Sequence, residues 1–344
     1  MNSYFKTNNI SKHANGSMIV KTVLMLLVFI TPLVIINTGI VSSVWMIFAL
    51  YILSGFGMAG IGMGIMHDAI HNSYSKNQKV NRILGYTLNL IGANASIWKI
   101  QHNVLHHTFT NIEEADDDIN PPFFLRFTPH TKRYFIHKFQ HIYSWFFYGL
   151  STVSWVTAKD FVRMAKFKKM GFFKEGKAFN QELAKVIAWK VVSFGFVLVL
   201  PIIMAPVAWW IIVLAFISMH FVTGLMITTV FQLAHIVPTT EYPLPNEQGI
   251  VEGDWASHQL FTTSNFSPKS RLFSWFIGGL NYQIEHHLLP NICHVHYRKI
   301  SHIVAETAKE YGLPYHNKHN FVSAVGEHFK MLRQLGRMDN LRAR

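Results

Sequence analysis

Two long stretches without a charged side chain constrain this chain more than any other feature. From Thr22 to Met66 there is no Asp, Glu, Lys, Arg or His, and from Val191 to Ala234 the only such residue is His220. A bilayer's hydrocarbon core is about 30 Å thick and takes about 20 apolar residues per helix, so each stretch suffices for two spans but not three. Break signals divide them, Asn37-Thr38-Gly39 in the first and Met204-Ala205-Pro206 in the second. The expectation is four spanning helices, near 20–38, 42–66, 186–204 and 207–234, paired in two tight hairpins. At the α-helical rise Val207 to His235 extends about 42 Å, more than the hydrocarbon needs. The ends of the second and fourth helices, at His67 and His235, are therefore expected above the bilayer.

Charge gives the orientation. The chain has 344 residues, only 14% of them charged, with 31 Lys and Arg against 18 Asp and Glu. Soluble domains carry about 25% charged residues. Both hairpin tips lack Lys and Arg, whereas the N-terminal segment, the long middle region and the C-terminal third are basic. The positive-inside rule then places both termini and the 67–185 region in the cytoplasm. The chain reads as five segments: a cytoplasmic 1–19, a first hairpin 20–66, a cytoplasmic or interfacial 67–185, a second hairpin 186–234 and a cytoplasmic 235–344. No small-residue cleavage pattern follows the first apolar run, so a removable signal peptide is not expected. Two shorter apolar patches, Ile83–Trp98 and Ile142–Ala158, are read as helices lying in or against the interface, with a re-entrant segment as the alternative.

The basic excess is that of cytoplasmic loops and carries no nucleic-acid-binding module. Lys166, Lys168, Lys169, Lys174 and Lys177 read as attraction to lipid headgroups, with docking of an acidic electron carrier or an acyl-CoA as the sharper alternative. Cys293 is the only cysteine, which excludes disulfide scaffolds and all-cysteine metal cages.

The 20 histidines are the chemical signal. They gather as His67-Asp68-Ala69-Ile70-His71, as His102-Asn103-Val104-Leu105-His106-His107, and as Gln283-Ile284-Glu285-His286-His287. On a helix, residues four apart share a face, so His67 with His71 and His102 with His106 can each converge on one ion. His107 is expected to rotate away from His106 towards a second ion, and the pair His286-His287 can diverge in the same way. Imidazole suits Fe, Zn, Cu and Ni, and this many rings on one side of a membrane suggest more than one metal. His235, where the fourth helix ends, is read as a further ligand.

The other histidines carry no metal reading. His220 lies too far along its helix and is expected to hydrogen-bond within the bundle, while His137 and His141 read as a solvated face. His294 and His296 read as support or surface, and His130, His258, His302, His316, His319 and His328 as surface. The run Glu113-Glu114-Ala115-Asp116-Asp117-Asp118 is either a solvated turn or a source of carboxylates that accept the ligands' second N–H. Gln283, Asp68 and Glu285 are candidates for that supporting role. Trp255 and Gln259, with Asp254, are candidates for the substrate entrance.

The three clusters HDAIH, HNVLHH and QIEHH resemble the histidine boxes of membrane fatty acid desaturases. The likeness extends through HNSYSKNQKVNRILGY, HHTFTN, GDW and GGLNYQIEHHLLPNICHVHY, over roughly residues 60–340. Glutamine at the start of the third box is typical of the front-end group, which includes delta-6 (linoleoyl-type) desaturases, and bacterial and cyanobacterial members look most similar. The resemblance implies an all-α integral membrane protein: four transmembrane helices in two hairpins beneath a cytoplasmic helical cap carrying a di-metal site. It implies two non-haem iron ions, with O2 as co-substrate, and insertion of a cis double bond into an acyl chain held on CoA or lipid. Box by box, the ligands would be His67, His71, His102, His106, His107, His286 and His287, with His235 after the fourth span.

Gln283 stands where relatives have histidine. No His-Pro-Gly-Gly haem signature and no Rossmann fingerprint occur, so electrons are expected from a separate donor of ferredoxin or cytochrome b5 type. The competing readings are a fatty acyl or lipid hydroxylase of the same superfamily and, from a different class, a divalent metal transporter. Transporter sites lie near the bilayer midplane, whereas these clusters sit at one face.

Overall fold

The computed structural model describes residues 1–339, and they are almost entirely helical. Four helices are long and apolar enough to cross a membrane: Gly16–Asn37, Val44–Ile70, Lys177–Met204 and Trp209–His235. The first two begin at side-chain caps, with Asn15 accepting from the Met18 amide and Ser43 from the Met46 amide; these satisfy amide donors that a helix start leaves over. The breaks fall where the sequence places them, after Asn37 and after Met204. Gly39 has φ +74°, and a Cβ there would meet the Met204 carbonyl oxygen at 2.7 Å, so the turn needs glycine on two counts.

Three boundaries differ from expectation by four residues or more, the first helix starting at Gly16 rather than near residue 20. The second helix does not stop at Met66 but continues through a π-helical turn, Ile61–Ile65, to Ile70, so His67 lies inside it. The third starts at Lys177 rather than near residue 186, because Lys177–Val186 is helical although too polar to register as a span.

The chain divides into two compact units, Ala14–Ile100 with Phe147–Thr228, and Met1–His13 with Gln101–Phe146 and Thr229–Arg344. In the first, small residues let the spans approach. A Cβ on Gly57 would lie 2.4 Å from the Phe29 nitrogen, and one on Gly55 would lie 2.8 Å from the Met219 oxygen. Such contacts suit helices in lipid, where close backbone packing replaces hydrophobic drive. Hydroxyls find carbonyls between helices: Ser54 donates to Phe29 at 2.7 Å, Tyr51 to Val197 at 2.7 Å and Thr223 to Gly55 at 3.0 Å. His220, as expected, is hydrogen-bonded in the bundle, its Nδ1 3.3 Å from the Thr152 hydroxyl.

The patch at 83–98 resolves into short helices, Gln78–Gly85, Thr87–Leu90 and Ala95–Lys99, none of spanning length. The aromatic patch lies in Gln140–Ser154, which runs on through Trp155–Lys159 into Asp160–Lys169. Lys190 is buried among these elements. Its ammonium donates to Asp160 at 2.9 Å, Gly92 O at 3.0 Å, Val156 O at 2.8 Å and Trp155 O at 3.3 Å.

The second unit is built on short helices, including Trp255–Thr262, Gln283–Leu288, Tyr297–Glu310 and Phe321–Leu335. It departs from an all-α reading by one two-residue parallel pairing, Asn265–Phe266 with Asn317–Lys318. Fully buried Arg126 holds the end of the Phe321–Leu335 helix, bonding the Leu335 and Met338 carbonyls.

Several histidines assigned to the surface are core residues here. His137 is buried with its Nε2 on Phe123 O at 2.8 Å, and buried His141 meets the Phe329 ring edge-on. His328 is fully buried, its Nδ1–H donating to Ile236 O at 2.8 Å, whereas His258 is only partly buried and places Nε2 on Thr110 O at 2.8 Å. The rings of His137, His258 and His328 are each satisfied by one carbonyl, which sequence spacing does not reveal.

Candidate metal centre

Six of the expected ligands converge in the second unit. His102, His106, His107, His235, His286 and His287 are each at most 5% exposed, so water is largely excluded from the cluster.

The second box is shaped by a π-helix, Ile100–His106. A π turn takes in about one residue more than an α turn. In an α-helix His107 would point well away from His102. Here the wider turn brings both His106 and His107 to it, at ring-centroid distances of 5.2 and 4.8 Å. His107 turns from the group around His106, as its expected rotation away from that ring requires, and points Nε2 at His102 (3.3 Å) and His286 (3.0 Å). Imidazole nitrogens this close repel unless a proton or a cation is shared between them.

The third box diverges as expected. His286 faces His102 (5.7 Å, stacked) and His107 (4.6 Å), whereas His287 faces His106 and His235, each at 4.9 Å. One nitrogen each from His106, His235 and His287 lie within 4.8 Å of one another, as do nitrogens of His102 and His286.

The second ring nitrogens explain which lone pairs are available. His106 Nδ1 is 2.9 Å from a carboxylate oxygen of Asp116, His235 Nδ1 is 3.3 Å from Thr262 O, and His287 Nδ1 is 2.7 Å from Gln259 Oε1. All three partners are acceptors, so each Nδ1 carries the hydrogen and each Nε2 presents its lone pair. The Nε2 of His106 is buried and makes no hydrogen bond among the described residues. A group of buried neutral nitrogens with tethered backs fits a borderline transition metal and not Mg or Ca. Burial opposes protonation of His106, but the Asp116 carboxylate outweighs it and raises the ring's proton affinity. The same charge raises its basicity towards a metal.

The acidic run therefore contributes particular members. Asp116 is fully buried and also accepts from the Asn111 amide at 3.0 Å, and Asp118 lies 3.8 Å from His102 Nδ1 while bonding Gln101. Glu285 faces away from the rings. It accepts from Tyr315 at 2.7 Å and Asn265 at 2.8 Å, and burial pushes its carboxyl up to about 7. Gln283 is buried, and its amide contacts the His235 ring. Trp255 is 45% exposed and donates its indole N–H to His107 O at 2.9 Å. Gln259, expected at the substrate entrance, is fully buried instead; its amide joins His287, Thr110 and the His107 carbonyl. It holds the His287 ring, because Trp255–Thr262 turns that face inward.

In the other unit, His67 and His71 converge on each other, with ring centroids 4.8 Å apart. The Trp98 ring sits edge-on to both, at 5.7 and 6.1 Å. Asp68 is buried with Oδ1 3.7 Å from His67 Nδ1. Residues that sequence reasoning passed over are Gln101, Thr110, Asn111 and Asn265. The segment HHTFTN carries two of them, and its uncharged polar residues beside a box were the available signal.

The family model "Fatty acid desaturase" matches residues 43–319. Similar relatives include an sn-1 linoleoyl-lipid 6-desaturase of Arthrospira platensis, 33% identical over 97% of this chain and 90% of the relative. A second, of the same description, is from Synechocystis sp., 30% identical over 98% of this chain and 93% of the relative. An acyl-lipid (8-3)-desaturase of Physcomitrium patens is 35% identical over 97% of this chain and 69% of the relative.

Proposed function

The chain belongs to the fatty acid desaturase family, and from that membership we propose that it introduces a cis double bond at carbon 6 of a linoleoyl chain carried on a lipid. As a member of the family the chain is an oxidoreductase that desaturates lipid acyl chains. The finer reading, position 6 on a lipid-bound acyl group, is supported by two relatives of that description matched over nearly their whole length.

The observation that carries the chemistry is the set of inward Nε2 lone pairs on His106, His235 and His287, each fixed by an acceptor behind it. We assign His102, His106, His107, His235, His286 and His287 as iron ligands. His67 and His71 are assigned as ligands from the box pattern and their mutual convergence. When bound, a pair of irons supplies oxygen activation and the power to oxidise an unactivated methylene. The chain's own residues hold the rings, through Asp116, Gln259 and the Thr262 carbonyl, and keep water out. Trp255, part exposed beside the second box, is proposed to line the acyl entrance. Electrons come from a separate carrier of ferredoxin or cytochrome b5 type. The two-hairpin topology, with boxes and termini on the cytoplasmic side, follows from the charge distribution.

The test is expression in a host of defined acyl composition, with products located by mass spectrometry. A linoleoyl lipid that loses one hydrogen each from carbons 6 and 7, labelled in the lipid pool before the CoA pool, is the expected result. A double bond elsewhere would correct the position, and an alcohol would replace desaturation by hydroxylation.

A further inference from the structure

Asn111 joins the end of the fourth helix, the chain at Glu241 and the end of Trp255–Thr262 through one side chain. It is fully buried at the end of HHTFTN, with φ +60°, a left-handed conformation that Asn tolerates better than most residues. Its amide nitrogen lies 3.1 Å from His235 O, 3.1 Å from Glu241 O and 3.2 Å from Thr262 O. Two hydrogens shared among three carbonyls fix the side chain in one orientation. Its backbone N–H donates to Asp116 at 3.0 Å.

Two of the connections end on tethers already described. Asp116 accepts from His106 Nδ1, and the Thr262 carbonyl accepts from His235 Nδ1. The His235 carbonyl belongs to the ligand itself. We propose that Asn111 is a positioning residue, one that sets His106 and His235 jointly so that their lone pairs meet one ion. The inference rests on the ligand assignment above. Its chemical content is that ring orientation at two ligands from distant parts of the sequence is coupled through one amide.

Asn111→Gly separates the side chain from the backbone. Glycine accepts the positive φ and retains the N–H to Asp116, while the three carbonyls lose their donor. Asn111→Asp keeps the shape but turns a carboxylate oxygen towards the same carbonyls. Asn320→Ala removes the side-chain cap of the Phe321–Leu335 helix, a bond made to the Ser323 amide, and serves as a variant destabilised by other means.

The full-length chain in detergent is loaded with ferrous iron, and iron per chain, chelator competition, Mössbauer spectrum and melting temperature are measured. For Asn111→Gly the expected result is an affinity for one iron lower by about 10- to 100-fold, the usual effect of losing a partner behind a ligand. Asn111→Asp is expected to lose at least as much, and Asn320→Ala to melt earlier with its iron content and spectrum intact. Wild-type iron affinity and spectrum in Asn111→Gly would overturn the proposal. So would iron loss that only tracks melting temperature across all three variants. A wild-type chain that binds no iron would remove the ligand assignment, and this proposal with it.

Discussion

At the scale of single residues, function depends on what stands behind each imidazole. The run from Glu113 to Asp118 offers five carboxylates, and the fold buries Asp116 completely against His106 while others remain partly open to solvent. Asp116→Asn keeps an acceptor but removes the charge that makes His106 a strong donor to metal. The expected outcome is an iron affinity reduced by about 10- to 100-fold with little change in far-UV circular dichroism, measured by competition with a chromophoric chelator. Unchanged affinity would mean that shape alone, and not charge, sets the ring. The ligand types were legible because histidine spacing is local. Gln259 was misplaced because nothing in the sequence of Trp255–Thr262 shows which face turns inward.

At the scale of elements, the spans were legible and their ends were not. Apolar length located four helices, but whether a polar flank continues the helix is decided by what packs beside it. Lys177–Val186 continues the third helix, and Lys190 within it anchors two neighbouring elements. Lys190→Met would leave Asp160 buried without its cation. The expected cost is about 3–5 kcal/mol, seen as a lower melting temperature in detergent. The double variant Lys190→Met with Asp160→Leu should regain most of that loss, since replacing both charges leaves no unpaired one. A single variant as stable as wild type would show that the pair contributes nothing. The π turn at Ile100–His106 is the other element-scale lesson: an α-helix would carry His107 well away from His102, and the wider turn brings the two rings together.

At the scale of the whole molecule, the charge asymmetry makes a topological prediction. Cys293 is fully buried, so single cysteines placed elsewhere report on accessibility from each side. In intact cells Ser42→Cys, at the tip between the first two spans, should react with a membrane-impermeant maleimide, and Lys6→Cys should react only after permeabilisation. The reverse pattern would invert the proposed orientation.

Composition and local spacing by themselves determined that this chain holds four apolar helices and three imidazole clusters, because hydrophobic length and helical period are properties of neighbouring residues. The tertiary structure decided which nitrogens meet. His106, His235 and His287 are separated by 129 residues at one step and by 52 at the other, and only packing places their lone pairs within reach of one ion. It also decided which carboxylate and which amides lie behind the rings, since a buried hydrogen bond depends on where the chain returns and not on where it started.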